Sequence, residues 1–205
     1  MQQRQVFQLE IEKENIEKLA LGGYEGPITL IDTAAGLAKA LPEIKAEKII
    51  GFDTETKPSF KKGVTHQVSL LQIATANSVF VIRLNKVGFC DELKEVFKVH
   101  DTIKVGIACM DDIKDLNKLA GTFHSHSIID LNKECPKVGF RSIGAKKLAA
   151  LVLGMKISKR QQTSNWEAET LSEAQLKYAG TDAWICREIY LKLTKNGYKL
   201  QNTLR

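Results

Sequence analysis

Hydrophobic and polar positions along the chain fall into short, distinct blocks. The first ~25 residues carry widely spaced apolar positions and read as an amphipathic helical or irregular arm, closed by the breaker run Gly22-Gly23-Tyr24-Glu25-Gly26-Pro27. Ile28 to Ile31 is a short strand candidate, and Asp32 or Thr33 can cap a helix running to about Leu41, where Pro42 is expected to stop it. Lys48 to Glu55 reads as a strand, apolar at its start and acidic at its end. Val68–Ile73 and Val79–Leu84 form two more, joined by the turn-like Thr75-Ala76-Asn77-Ser78. A helix around Asp91–Phe97 leads to a strand at Ile103–Ala108, a helix at about Asp111–Ala120 and a strand at Ser127–Leu131. The remainder is mostly helical, at Ser142–Leu153 and from Ser172 to about Leu193. Strands interleaved with helices, then helices alone, predict an α/β layered domain, and the hairpin-like strand pair predicts a mixed sheet.

Two features of this pattern place acids where they need an explanation. Asp53 and Glu55 lie two apart on a strand and share a face, opposite Phe52 and Thr54. Neighbouring carboxylates at the end of an apolar strand repel each other and resist ionisation. A hard divalent cation such as Mg²⁺ or Mn²⁺ relieves that cost, and so does a strand end that simply runs into solvent. In the helix after Ala108, the apolar stripe of Ile113, Leu116, Leu119 and Ala120 includes Asp112 and leaves Asp111 and Asp115 outside it. An acid on a buried face requires a partner. The last helix opens with the capping box Ser172-x-x-Gln175 and has a stripe through Leu176, Ala179, Ala183, Cys186 and Tyr190. Tyr178 and Asp182 lie one turn apart along its edge, and Ala179 and Gly180 permit close approach to a neighbouring element.

Composition narrows the class. The 205 residues, 43% hydrophobic and 26% charged, can bury a core, which excludes disorder as the main state. The expectation is an arm at 1–27 followed by one domain at 28–205. No apolar run approaches the ~20 residues of a membrane span, and the mixed-charge start reads as mature protein. Cys90, Cys109, Cys135 and Cys186 are scattered without a C-x-x-C pair, which fits a reducing, cytoplasmic setting and gives no support to a structural zinc site. His124-x-His126, with His66 and His100, lacks the accompanying ligands of a metal cluster. The net charge of +6 is localised: Lys133 to Arg160 holds eight bases and one acid, leaving the rest at −1. Such a segment suits a polyanion, with Arg141, Lys146 and Lys147 as candidate contacts, or it is an ordinary solvated face.

Taken together, the acids occur in the order D-x-E, D, Y-x-x-x-D, which resembles the DEDDy subgroup of DEDD exonucleases. That family includes the proofreading domain of bacterial DNA polymerase I, ribonuclease D and the exonuclease domain of the Werner syndrome helicase. Gly51-Phe52-Asp53-Thr54-Glu55 is similar to the first motif, Val68-Ser69-Leu70-Leu71-Gln72-Ile73 to the second strand, and Val105-Gly106 with Asp112 to the second motif. Gly144-x-x-x-Leu148-Ala149 through Gly154, Ser164-Asn165-Trp166, and Leu171-Ser172 with Tyr178-Ala179-Gly180-Thr181-Asp182-Ala183 resemble the last section. The likeness covers roughly residues 28 to 193 and is nearest the Werner and ribonuclease D branch. Lys57 stands where the Werner-like domain carries aromatic and Pro residues, and Gly139–Gly144 continues as Ala145-Lys146, not as a phosphate loop, so no nucleotide cofactor is expected.

The resemblance implies a ribonuclease-H-like fold with a mixed five-stranded sheet and helices on both faces. It implies two-metal hydrolysis with Mg²⁺ or Mn²⁺ at the 3′ end of DNA or RNA, releasing nucleoside 5′-monophosphates. Asp53, Glu55 and Asp182 would hold one ion. Asp53 would bridge to a second ion held by Asp112, directly or through water, and Tyr178 with Glu55 would orient the attacking water. The basic segment would track phosphates, and Trp166 would anchor the core. The alternatives are a non-catalytic nucleic-acid-binding module with the same fold and a hydrolase acting on small nucleotide phosphates.

Overall fold

The computed structural model describes residues 5–204, apart from the side chain of Ala120. The first four residues of the expected arm and Arg205 of the expected domain lie outside that range. Six strands form one sheet: β1 (Ile28–Ile31), β2 (Ile49–Thr56), β3 (Val68–Ala74), β4 (Val79–Arg83), β5 (Ile103–Gly106) and β6 (Ile128–Asp130). Their order is β1-β4-β3-β2-β5-β6. β3 runs antiparallel to both of its neighbours, β2 and β4, while β1 on β4, β5 on β2 and β6 on β5 are parallel. The mixed α/β sheet is as expected, but it has six strands where the family resemblance implied five. The additional edge strand is β1, which the Ile28–Ile31 pattern had marked.

One face of the sheet is covered by α2 (Ala34–Ala46), α4 (Asp91–Lys98) and α5 (Met110–Ala120), whose Leu37, Ile44, Leu93, Phe97, Ile113 and Leu116 pack with Phe52, Leu71 and Ile73. The short α3 (Leu84–Val87) follows β4 directly. Thr33, not Asp32, caps α2 by accepting from the Gly36 amide at 3.1 Å. α2 continues past Pro42, contrary to the expectation. Pro42 has no amide to donate and its ring crowds the preceding turn, a cost set against the added turn that places Ile44 fully in the core.

Across the opposite face lies α8 (Glu173–Lys195), which begins at the predicted Ser172–Gln175 capping box. Beside it run α6 (Leu131–Glu134) and α7 (Ala145–Leu148), the latter prolonged through Leu153 with a wider π-type turn. α8 approaches the sheet very closely: a Cβ on Gly51 would fall 2.1 Å from the Ala183 carbonyl oxygen, and one on Gly180 3.1 Å from Ile28. Glycine at both positions lets the helix cross β2 and the β1–β4 edge at backbone distance. The arm packs on this side as well, through α1 (Lys13–Glu17), buried Phe7 and Ile16, and a parallel bridge between Leu21 and Lys156.

Candidate active site

β2 leaves the core between β3 and β5 and ends with the alternation that the sequence predicts. Phe52 sinks into the core on the α5 side, and Asp53 and Glu55 face α8. There Asp182 meets them: one carboxylate oxygen from each of Asp53, Glu55 and Asp182 lies within 4.8 Å of the others. The close crossing of α8 over Gly51 makes this distance possible, because Asp182 sits beside Ala183 on the helix. One turn earlier, the Tyr178 hydroxyl donates to Asp182.

Asp112 arrives from the other side of β2. Its carboxylate accepts the hydroxyl of Thr54, the residue between the two acids of β2. Thus three of the predicted carboxylates converge directly, and the fourth is tied to the same strand from the opposite face. Asp112 is partly buried, while Asp111 is exposed and pairs with Lys114 at 3.3 Å. The amphipathic pattern had separated these two neighbours correctly.

Electrostatics follow from this crowding. Burial, then the charges of Asp182, Asp112 and Glu55, push the Asp53 carboxyl well above the usual carboxylate range. Glu55 is raised to about 9 by burial and by Asp182 and Asp112. Asp112 and Asp182 are raised to about 6, again mainly by burial; the bonds from Thr54 and Tyr178 act in the opposite direction. Burial and the surrounding acids drive the Tyr178 phenol upward, so it remains a protonated donor. A buried acid cluster of this kind has an unmet demand for positive charge.

The cluster opens into a cavity of about 350 Å³, bounded by Thr54, Ala108, Asn132, Gly144, Lys159, Gln162 and Tyr178 among others. Its far wall is braced by Asp130, which accepts from the amides of Ala108 and Asn132 at 2.9 Å each; Asn132 accepts from Gly144 at 2.8 Å. Ala108 (φ 58°) and Gly144 (φ 91°) both adopt positive φ here, where a small residue or none is required at the side chain. Lys159, whose charge offsets that of Asp182, lines the cavity and is not among the bases singled out from the sequence. Only its membership of the basic segment marked it.

The three selected bases lie apart from this cavity. Arg141 and Lys146 face arm acids, Arg141 with Glu10 at 3.7 Å and Lys146 with Glu17 at 3.8 Å; Lys147 is exposed. Lys57, with His66, pairs with Glu167 at 3.1 Å. Trp166 is fully buried, as expected of a core anchor, and its ring lies 5.9 Å from that of Tyr178. His100 and His126 stack at 3.8 Å, and among the described residues no metal-binding group forms around them.

This layered sheet, with carboxylates gathered at the end of its central strand and a tyrosine-bearing helix across them, defines a ribonuclease-H-like nuclease domain. The chain belongs to the 3′-5′ exonuclease family, whose profile matches residues 28–197. It is 30% identical over 195 residues to the exonuclease mut-7 homolog of Aedes aegypti, covering 83% of this chain and 27% of that protein. A ribonuclease D of Bartonella henselae is 28% identical over 200 residues, covering 94% of this chain and 48% of its own length. The chain therefore spans less than half the length of these curated relatives. Among solved structures, the Nibbler EXO domain of Aedes aegypti superposes with a TM-score of 0.77 at 27% identity, covering 85% of this chain and 92% of that one. Among the described residues, no helix is long and apolar enough to cross a membrane.

Proposed function

We propose that this chain is a metal-dependent 3′→5′ exonuclease that hydrolyses the terminal phosphodiester bond of DNA or RNA and releases nucleoside 5′-monophosphates. The convergence of Asp53, Glu55 and Asp182 within 4.8 Å at an open cavity, beside Tyr178, carries this reading. All-oxygen ligands and the raised carboxyl pKa values fit Mg²⁺ or Mn²⁺. Asp53, Glu55 and Asp182 would hold one ion, and Asp53 with Asp112 a second. Two such ions supply an activated water and charge stabilisation for the leaving 3′ oxygen. Tyr178, a donor anchored to Asp182, would orient the water together with Glu55. The exonuclease unit is residues 28–205 and residues 1–27 are an arm; the family match beginning at residue 28 supports that boundary. Four free cysteines support a reducing, cytoplasmic setting.

Carboxylates facing a cavity would repel a phosphate backbone unless cations intervene, and this argues against a purely binding role. The test is incubation of end-labelled single-stranded DNA, recessed DNA and RNA with Mg²⁺ or Mn²⁺, with chelator, and with Asp53→Ala. Stepwise loss from the 3′ end that requires both the metal and Asp53 is expected. Binding without cleavage, or cleavage indifferent to Asp53, overturns the proposal.

A further inference from the structure

Gln72 is the residue directly opposite Asp53 in the β2–β3 register. Opposed residues of an antiparallel pair share a face of the sheet, with Cβ atoms about 4.5–5.5 Å apart. The neighbours of Gln72 on β3 confirm which face this is. Leu70 and Ala74 pack with Trp166, Ala179 and Ala183 beneath α8, whereas Leu71 and Ile73 pack on the other side of the sheet. Gln72 is therefore inserted into an apolar layer at the flank of the acid cluster, and it is completely buried.

Neither end of its amide has a partner: both Nε2 and Oε1 of Gln72 are buried and unbonded. Trp166 Nε1, in the same layer, is also buried and unbonded. An amide without partners in an apolar layer costs free energy that Leu or Met would not. The two sets of orphaned atoms are complementary, however. The indole can only donate, and Gln72 Oε1 can accept it. The segment carrying Trp166 is pinned over this face by Arg83, whose guanidinium donates to the Glu169 carbonyl at 2.6 Å. With its oxygen so engaged, the amide nitrogen of Gln72 has two protons to donate, and its opposite number in register is the carboxylate of Asp53.

We infer that Gln72 is a positioning residue for Asp53: its amide nitrogen donates to the Asp53 carboxylate when cations occupy the site, while its oxygen accepts from Trp166. This rests on the proposed metal-dependent function. The chemistry also explains why the residue is an amide. A neutral donor fixes the rotamer of Asp53 and favours its ionised form, whereas Lys or Arg at position 72 would repel the incoming cations. Gln72 would thus set which oxygen of Asp53 faces the ions without lowering the negative charge that attracts them. It also couples Asp53 through Trp166 to Tyr178, whose ring lies against the indole.

The decisive variant is Gln72→Met, which preserves length and removes only the amide. Mn²⁺ binding is followed by the EPR signal of free ion, alongside thermal melting and exonuclease turnover, with wild type and Asp53→Asn as references. If Gln72 positions Asp53, Gln72→Met weakens Mn²⁺ binding about 10–100-fold, in the range of outer-sphere metal-site partners, while melting without metal stays equal or rises. Gln72→Asn, which keeps an amide, recovers part of the affinity. Should Gln72 only fill space, Gln72→Met leaves Mn²⁺ affinity unchanged, and the inference is overturned. If Gln72→Met does not fold, ¹⁵N-glutamine spectra of wild type decide. One slowly exchanging side-chain amide that shifts on Mg²⁺ addition supports the inference, and no responsive amide rejects it. Failure of wild type to bind Mn²⁺ at all rejects the underlying function instead.

Discussion

The hydroxyl of Thr54 donates to the carboxylate of Asp112, so the residue between the two acids of β2 holds the acid delivered by α5. Thr54 faces away from Asp53 and Glu55, and the bond crosses the strand that carries them. Thr54→Val keeps the β-branched shape and removes the donor. It is expected to lower exonuclease activity about 10–100-fold through misplacement of Asp112, with melting shifted by only a few degrees. Unchanged turnover over a range of Mg²⁺ concentrations would show that Asp112 needs no such hold.

Tyr178 acts at the opposite wall. Its phenol stays protonated and is anchored on Asp182. Tyr178→Phe removes one oxygen while retaining the ring beside Trp166. The expected result is a kcat lower by about 10²-fold, the scale of a lost proton-positioning group, with KM and Mn²⁺ affinity close to wild type. An equal loss in metal affinity would place the hydroxyl among the groups that hold the ions.

The acid cluster predicts an unusual pH dependence for the metal-free protein. Asp112 and Asp182 ionise at about 6 and Glu55 at about 9, above ordinary values of 3.8 to 4.5, with Asp53 also raised. Between these limits the folded chain binds more protons than the unfolded chain, so the cluster's contribution to stability falls as pH rises from about 4 to about 9. Glu55→Gln should therefore raise the melting temperature at pH 8 by about 2–4 °C, the equivalent of about 1 kcal/mol for a chain of this size, and by much less at pH 5. Mg²⁺ should stabilise wild type more at pH 8 than at pH 6, with chelator reversing the gain. A melting temperature for wild type and Glu55→Gln that differs equally at both pH values contradicts this electrostatic picture.

Much of this architecture is legible in the chain. Periodicity marks all six strands, the Ser172 cap and the single acid of α5 that points inward, because each is a local property of spacing. What escapes depends on tertiary neighbours. Pro42 reads as a helix stop, yet the helix continues because Ile44 gains a place in the core. Gln72 and Arg83 look like the polar positions of half-exposed strands, and both are buried because α8 and the Trp166 segment cover that face. The basic segment is visible as charge, but its pairing with arm acids more than 100 residues away is not.

Those arm pairs lead to a further expectation. Glu10 faces Arg141, and Glu17 faces both Lys146 and Lys156, all at 3.7–3.8 Å near the surface. Exposed pairs of this kind contribute about 0–1 kcal/mol, so Glu10→Gln combined with Glu17→Gln should leave the fold intact while releasing Arg141 and Lys146; Lys156 keeps its bond to the Glu17 carbonyl at 2.8 Å. Single-stranded nucleic acid, measured in chelator, should then bind several-fold tighter and with a steeper dependence on salt, by about 0.7 in logarithmic slope for each phosphate gained. The same affinity and slope as wild type would mean that the strand follows another path.

The most direct test of the acid cluster as a cation centre is anomalous diffraction from crystals soaked in Mn²⁺. Two peaks are expected at the end of β2, one enclosed by Asp53, Glu55 and Asp182 and the other between Asp53 and Asp112, both lost in Asp53→Ala. Crystals in which those carboxylates show no anomalous density at saturating Mn²⁺ would contradict it.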